Sequence, residues 1–201
     1  MVSFVVFDVG DVVCRFDPES RLHALAQLTG RSAADIQQAI WGSGLDRRAD
    51  RGEIGATDLS ALLVAALEVD VDTGALRAAW SRAFVPNDAV LALIDRLAVP
   101  AVLFSNNGPM LGRCLDHELA SVRARFVRAF LSWELGATKP EPAAYEAVAT
   151  RLGVEAGELF FVDDSQPNVA AARALGWQAE VFTDVAALER QLAALDAFES
   201  A

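Results

Sequence analysis

The sequence predicts an α/β protein, a doubly wound and mostly parallel sheet with a small all-helical insert after its first strand. Three observations carry that reading. Five short apolar runs recur along the chain, helical patterns with recognisable ends lie between most of them, and one long stretch after the first run holds helical patterns only. Apolar runs without alternation fit strands buried on both faces, as in a parallel sheet. Strand and helix in alternation then predict helices packed on the faces of that sheet.

The runs are Phe4 to Phe7, Ala101 to Phe104, Val127 to Leu131, Leu159 to Val162 and Ala179 to Phe182. Among the helices, Asn87 can cap "DAVLALIDRLA", and "AAYEAVATRL" stops at Gly153. "PNVAAARAL" has Pro167 in its first turn and stops at Gly176, while Asp184 can cap "VAALERQLAAL". Between the first two runs lie "RLHALAQL", "AADIQQAIW", "TDLSALLVAAL" and "TGALRAAWSRAF". Roughly 70 residues are far too many for a βα connection, so residues 16–86 read as a helical cap. Residues 1–15 and 87–201 then form the core.

Composition narrows the function. With 53% hydrophobic and 22% charged residues the chain is globular, and a net charge of -11 lacks the basic face of a nucleic-acid binder. Cys14 and Cys114 are too few for a disulfide framework and read as reduced, buried thiols. No secretory-type leader and no apolar run of about 18 residues is present, which gives the expectation of a cytoplasmic protein without a membrane partner. Lys139 is the sole lysine, all other positive side chains being arginines. A compact ammonium suits a crowded pocket where a guanidinium does not fit.

Open parallel sheets bind ligands at the carboxyl ends of their strands, where the winding reverses. Those ends carry Asp8, Gly10 and Asp11; then "SNNGP" from Ser105 to Pro109; then "GATKP" with Lys139; then Asp163 and Asp164 in "VDDSQPN". This inventory suits phosphoryl transfer. Carboxylates are ligands for a hard cation such as Mg²⁺, and three of them on neighbouring strands repel without one. Ser105, the Asn106 amide and Lys139 are placed to neutralise phosphate oxygens, and Asp8 to attack phosphorus. The expected partner is a small phosphorylated metabolite; oligomeric state is open.

"VVFDVGDVV", "LFSNN", "GATKPEPAAY" and "FFVDDSQPNV" together resemble the four motifs of the haloacid dehalogenase superfamily, in order and over most of the core. The resemblance implies a Rossmann-like fold with its cap at the helical insert. It implies Asp8 as nucleophile, Ser105 and Lys139 as phosphate-binding groups, and Asp8, Asp163, Asp164 and the Gly10 carbonyl as Mg²⁺ ligands. The Asp-x-Gly-x-Val opening and "SWELGATKPEPAAY" are similar to a bacterial sugar-phosphate phosphatase branch that includes glucose-1-phosphate phosphatase.

One position departs from the pattern. Most phosphatases of this superfamily carry an aspartate two residues after the nucleophile as general acid and base, where this chain has Gly10. Asp11 is a poor substitute, because adjacent side chains of an extended segment point to opposite faces. The expectation is a preference for anomeric, acyl or aryl phosphates, whose leaving groups need little protonation, unless a cap residue or held water donates the proton. A 2-haloacid dehalogenase also lacks that acid, although its fourth motif lacks the paired aspartates. A catalytically silent binding protein is the remaining alternative. Arg47, Arg48 and Arg51 read as a solvated loop before a substrate clamp, and Asn168 as either a loop brace or a site residue. Trp41, Trp80, Trp133 and Trp177 read as core or interface residues, and His23 and His117 as surface.

Overall fold

A computed structural model describes residues 1–198, with residues 56–58 described by backbone alone. The chain runs β1 (Phe4–Phe7), β2 (Cys14–Phe16), α1 (Pro18–Thr29), α2 (Ala33–Gln37), α3 (Leu45–Asp50), α4 (Ala56–Leu67), α5 (Thr73–Ser81) and β3 (Phe84–Pro86). It continues with α6 (Asp88–Ile94), β4 (Ala101–Ser105), α7 (Pro109–Asp116), α8 (Ala120–Arg123), β5 (Arg128–Leu131) and α9 (Ser132–Leu135). The last elements are α10 (Pro142–Leu152), β6 (Leu159–Asp163), α11 (Gln166–Ala174), β7 (Gln178–Val181) and α12 (Val185–Ala194). A single π-helical turn, Gln38–Gly42, follows α2 directly.

The main sheet has the order β5-β4-β1-β6-β7 with every pairing parallel, as the sequence predicts. Strands β4 and β6 flank β1 and are buried along their whole length, which is why their sequences do not alternate. The chain winds from β1 out to β5 and returns to build β6 and β7 on the other side. The winding reverses at β1, so the reversal lies beside Asp8. Register fixes the depth of each strand end, with Phe7 paired to Leu103 on one side and Val162 on the other.

Helix ends follow the predicted signals. Asn87 accepts from the Val90 amide, Asp184 accepts from the Ala187 amide at 2.8 Å, and Gly153 closes α10 at φ 71°. Strand β5 starts one residue after its apolar run and β7 is displaced from its run by one residue. Val127 is 63% exposed and precedes the ladder, whose first β5 partner is Arg128; β7 begins at Gln178 and ends before Phe182.

The insert is helical except where it joins the core. There β2 and β3 form an antiparallel ribbon, with Cys14 opposite Pro86 and Phe16 opposite Phe84. The helical pattern continuing to Phe84 ends instead at Ser81, because Phe84 packs on Phe16 across the ribbon at 5.5 Å. Residues 45–50, which read as loop, form α3, and its apolar signal is only the buried pair Leu45 and Ala49 among charges. The insert's apolar residues, among them Leu25, Ile40 and Leu63, are continuous with the sheet face that carries Val5, Phe7, Leu103 and Val162. The other face holds Phe104, Tyr145, Phe161 and Trp177 against α10 and α11. No helix of the described residues is long and apolar enough to cross a membrane.

Candidate active site

The backbone of Asp8 remains on the sheet, its amide donating to the Val162 carbonyl at 2.9 Å. Its side chain leaves the strand end beside Lys139. The Lys139 ammonium lies 2.9 Å from Asp8 Oδ1 and 2.6 Å from Asp163 Oδ2, and it also donates to the Phe104 carbonyl at 2.9 Å. Lys139 is 4% exposed and Asp163 is 0% exposed, a depth at which charge is tolerated only when paired. The loop that carries this lysine is held by Asn106, whose side chain accepts from the Lys139 amide at 2.8 Å and donates to its carbonyl at 2.7 Å.

The two aspartates of "VDDS" have different surroundings. Asp163 Oδ1 accepts from the Ser165 amide at 2.8 Å, and Asn168 donates to both its oxygens at 3.0 and 3.1 Å. Asn168 is thus a brace for Asp163. Asp164 is exposed. One oxygen from each of Asp8, Asp163 and Asp164 lies within 4.8 Å of the others. Burial pushes the Asp8 carboxyl above its ordinary value, Lys139 opposes this, and Asp163 adds to it. Partial burial raises Asp164 as well, followed by the charges of Asp8, Asp163 and Asp11. An all-oxygen cluster whose members disfavour one another's ionisation fits a hard divalent cation, and no His or Cys stands in it to favour a softer metal.

Gly10 lies in the same cavity, and a Cβ there would meet only the Phe16 Cβ, at 3.8 Å. Space for an acid therefore exists without the acid. Asp11 does not fill it. Its backbone sits at φ 53°, a conformation that aspartate tolerates, and its Oδ1 accepts from the Phe16 amide at 2.9 Å. Asp11 ties the first strand's exit loop to the ribbon. Ser105 is buried at the end of β4, where its hydroxyl accepts from Asn107 Nδ2 at 3.1 Å. Asn107 orients Ser105 and lines the cavity too, although sequence reasoning did not single it out.

This cavity has a volume of about 340 Å³, with Asp8, Ser105, Asn106, Asn107 and Lys139 as its floor. The insert supplies the opposite wall through Phe16, Arg21, Trp41, Asp46, Asp50 and Phe84. Arg21 is buried with its guanidinium 4.3 Å from the Trp80 ring centroid, and its Nε donates to the Trp80 carbonyl at 3.1 Å. Its Nη2 has no hydrogen-bond partner. Burial lowers the guanidinium to about 10. Asp46 is raised by burial, against the pull of Arg21 and a hydrogen bond from the Trp41 side chain. Asp50 is raised further, to about 7, first by burial and then by Asp46, while the Gly108 amide and Arg21 lower it.

The segment of Arg47, Arg48 and Arg51 thus presents carboxylates, not arginines, to the cavity. Arg48 pairs with Glu53 at 3.4 Å and Arg51 with Glu141 at 2.8 Å, both on the outside. The missed signal was the spacing of Asp46 and Asp50, four apart and so on one face of a helix turn. Trp41 also belongs to this wall, stacked on Trp80 at 5.9 Å, whereas Trp177 is core and both histidines are exposed. Cys14 and Cys114 are buried free thiols.

Comparison with known proteins agrees with this geometry. The chain is 24% identical over 189 residues to D-ribitol-5-phosphate phosphatase of Bacteroides thetaiotaomicron, covering 89% of this chain and 90% of that protein. Its fold is similar to that of a predicted HAD-like family hydrolase from Porphyromonas gingivalis, with a TM-score of 0.76, 21% identity and coverage of 96% and 98% of the two chains. A HAD family enzyme of Bacteroides thetaiotaomicron, solved as a mutant with magnesium and inorganic phosphate, gives a TM-score of 0.72 at 20% identity over 91% of this chain and 95% of that one. The family model for haloacid dehalogenase-like hydrolases matches residues 2–176, which include both floor and insert: the chain belongs to the haloacid dehalogenase-like hydrolase family.

Proposed function

We propose that this hydrolase is a Mg²⁺-dependent phosphatase of a small phosphorylated metabolite, working through an aspartyl-phosphate on Asp8. The observation that carries this is the set of three carboxylate oxygens within 4.8 Å of one another beside the buried Lys139 ammonium, under a cavity of metabolite size. Asp8, Asp164 and the Gly10 carbonyl, with Asp163 behind them, would hold Mg²⁺, which supplies positive charge against the phosphate oxygens. Asp8 attacks phosphorus in line with the leaving oxygen. Lys139 holds Asp8 in place and balances charge from behind, and the Ser105 hydroxyl and Asn106 amide face the phosphate from β4. The curated relative named for a ribitol phosphate supports a polyhydroxylated phosphate ester as the substrate class.

A panel of sugar, polyol, nucleotide and acid phosphates, assayed with and without Mg²⁺, tests this reading. Release of phosphate only when Mg²⁺ is present is the expected result. Chloride release from 2-chloropropionate in excess chelator, without phosphate release from any ester, would overturn it in favour of dehalogenation. The exposed Asp164 speaks for the phosphatase, since a carboxylate beside the nucleophile has no task in a cation-free displacement.

A further inference from the structure

Attack on phosphorus by Asp8 leaves one requirement unmet by the floor of the cavity. The departing alkoxide needs a proton, Gly10 carries none, and Asp11 is tied to the ribbon at Phe16. The floor's other groups are the ion-paired Lys139, the Ser105 hydroxyl and two amides. Across the cavity stand two carboxyls on one face of α3, beside a buried guanidinium with an unpartnered Nη2.

Asp50 is the better placed of the two. The amide of Gly108, in the turn that follows Ser105 to Asn107, donates to its carboxyl, so the acid sits against the same loop that faces the phosphate. A Cβ on Gly108 would lie only 3.2 Å from Asp50 Oδ1 and 3.2 Å from the Ala49 Cβ, so this turn and the end of α3 are closely packed. The end of α3 is anchored to the core as well. The Ser132 hydroxyl donates to the Asp50 carbonyl at 2.6 Å, and Gly52, at φ 75°, packs so closely on the Trp133 carbonyl that a Cβ would come within 2.3 Å of it. Asp46 is instead engaged by the Trp41 side chain, away from this turn.

We propose that Asp50, from the insert, is the general acid and base that Gly10 does not supply. The proposal rests on the phosphatase reading. As the bond from Asp8 to phosphorus forms, the bond to the leaving oxygen breaks and its electron pair takes the Asp50 proton. The free alcohol leaves, and Asp50 is a carboxylate. Water then attacks phosphorus and passes its proton to Asp50 as the bond to Asp8 breaks, giving inorganic phosphate, a free Asp8 carboxylate and a reprotonated Asp50. The groups facing Asp50 are Asp46 on its own helix, Arg21 from α1 and the Gly108 amide, with Asp8 and Lys139 across the cavity; α9, whose Glu134 is exposed, meets the Asp50 carbonyl through the Ser132 hydroxyl. Burial and Asp46 keep the carboxyl protonated up to about pH 7, where a donor is useful.

The test compares two esters in wild type and Asp50→Asn. The amide keeps an oxygen for the Gly108 N–H but has no proton to give. With 4-nitrophenyl phosphate, whose leaving group needs no proton, kcat/KM should change by less than roughly 10-fold. With ribitol 5-phosphate, which releases a primary alkoxide, it should fall by roughly 10² to 10⁴-fold. The wild-type profile on ribitol 5-phosphate should decline as pH rises through about 7, and the variant should lack that limb. Equal losses on both esters would mean that Asp50 only positions α3, and would overturn the proposal. So would wild-type turnover of the aryl ester alone, or full alkyl turnover by the variant. A wild type that hydrolyses neither ester brings down the phosphatase reading and this proposal with it.

Discussion

The floor and the wall of the cavity are built by opposite means. The buried charges at the floor are fixed by partners: Lys139 by Asp8 and Asp163, Asp163 by Asn168 and the Ser165 amide, and the Lys139 backbone by Asn106. The wall holds Arg21, Asp46 and Asp50 at partial or full burial with no ion pair among them. The first arrangement places charges whose position must not vary. The second keeps groups under-paired, which raises two carboxyls, lowers a guanidinium and leaves its Nη2 buried without a partner. Fixed charge on one side and responsive charge on the other is what the proposed two-step transfer would need, since its nucleophile must stay put while a proton comes and goes.

The largest effect should come from the floor. Asp8→Asn preserves shape but removes the proposed nucleophile, and turnover of any phosphate ester should drop on the order of 10³-fold or more while the thermal unfolding midpoint holds. A variant retaining more than about a tenth of wild-type kcat would falsify the assignment of Asp8.

Lys139→Met should be damaging in a second way, because it strands two carboxylates at a buried site. Denaturant titration should register a loss of about 3 to 5 kcal/mol. Arg51→Ala, which breaks the exposed pair with Glu141, should cost less than about 1 kcal/mol in the same assay. Similar losses for the two would erase the contrast between a fixed floor and an ordinary surface.

The paired aspartates divide the floor itself. Asp164 is exposed, so Asp164→Ala should leave stability unchanged and raise the Mg²⁺ concentration for half-maximal activity by about 10 to 100-fold. Asp163→Ala removes a wholly buried partner of Lys139 and should lower the unfolding midpoint as well as activity. If calorimetry and Mg²⁺ titration cannot tell these variants apart, the division of labour drawn from their surroundings is wrong.

The last contrast concerns the wall and its dependence on pH. The Asp50 carboxyl moves from an ordinary 3.8 to about 7 in the fold. A raised folded value means that the fold favours the protonated form. Its contribution to stability is therefore complete below the ordinary value and is lost as pH rises through about 7. Asp50→Asn, neutral throughout, should gain in unfolding midpoint relative to wild type between pH 5 and pH 8. A difference that stays constant over that range would show that Asp50 is not buried as described.

How far each region was legible follows from the same contrast. Asp8, Ser105, Lys139 and Asp163 stand at the ends of apolar runs or in their loops, and the parallel sheet brings strand ends together by its topology. Buried strands must be apolar throughout and their polar residues are confined to the ends, so one sequence sufficed to place these four on one edge. The caps at Asn87, Asp184 and Gly153 were legible for a similar reason, being local hydrogen-bonding or backbone preferences.

Tertiary structure alone decided the rest. Residues 45–51 are dominated by charge; their arginines read as solvated, and Arg48 and Arg51 do pair on the outside, but nothing in the sequence singled out Asp46 and Asp50 as cavity residues. Nothing local tells which side of a six-residue helix will face a cavity. That depends on Leu45 and Ala49 packing into the insert and on Gly52 and Ser132 docking its end against the core. The β2–β3 ribbon was invisible for a related reason, because its strands lie far apart in sequence and each gains its partner only on folding. The sequence by itself determined a parallel sheet, the chemistry-bearing residues at its strand ends and the existence of a helical insert, since burial and capping leave a pattern in the residues themselves. Which face of the insert closes over those ends, and so which carboxyl lies across the cavity from Asp8, was set by contacts between distant segments that leave no period to read.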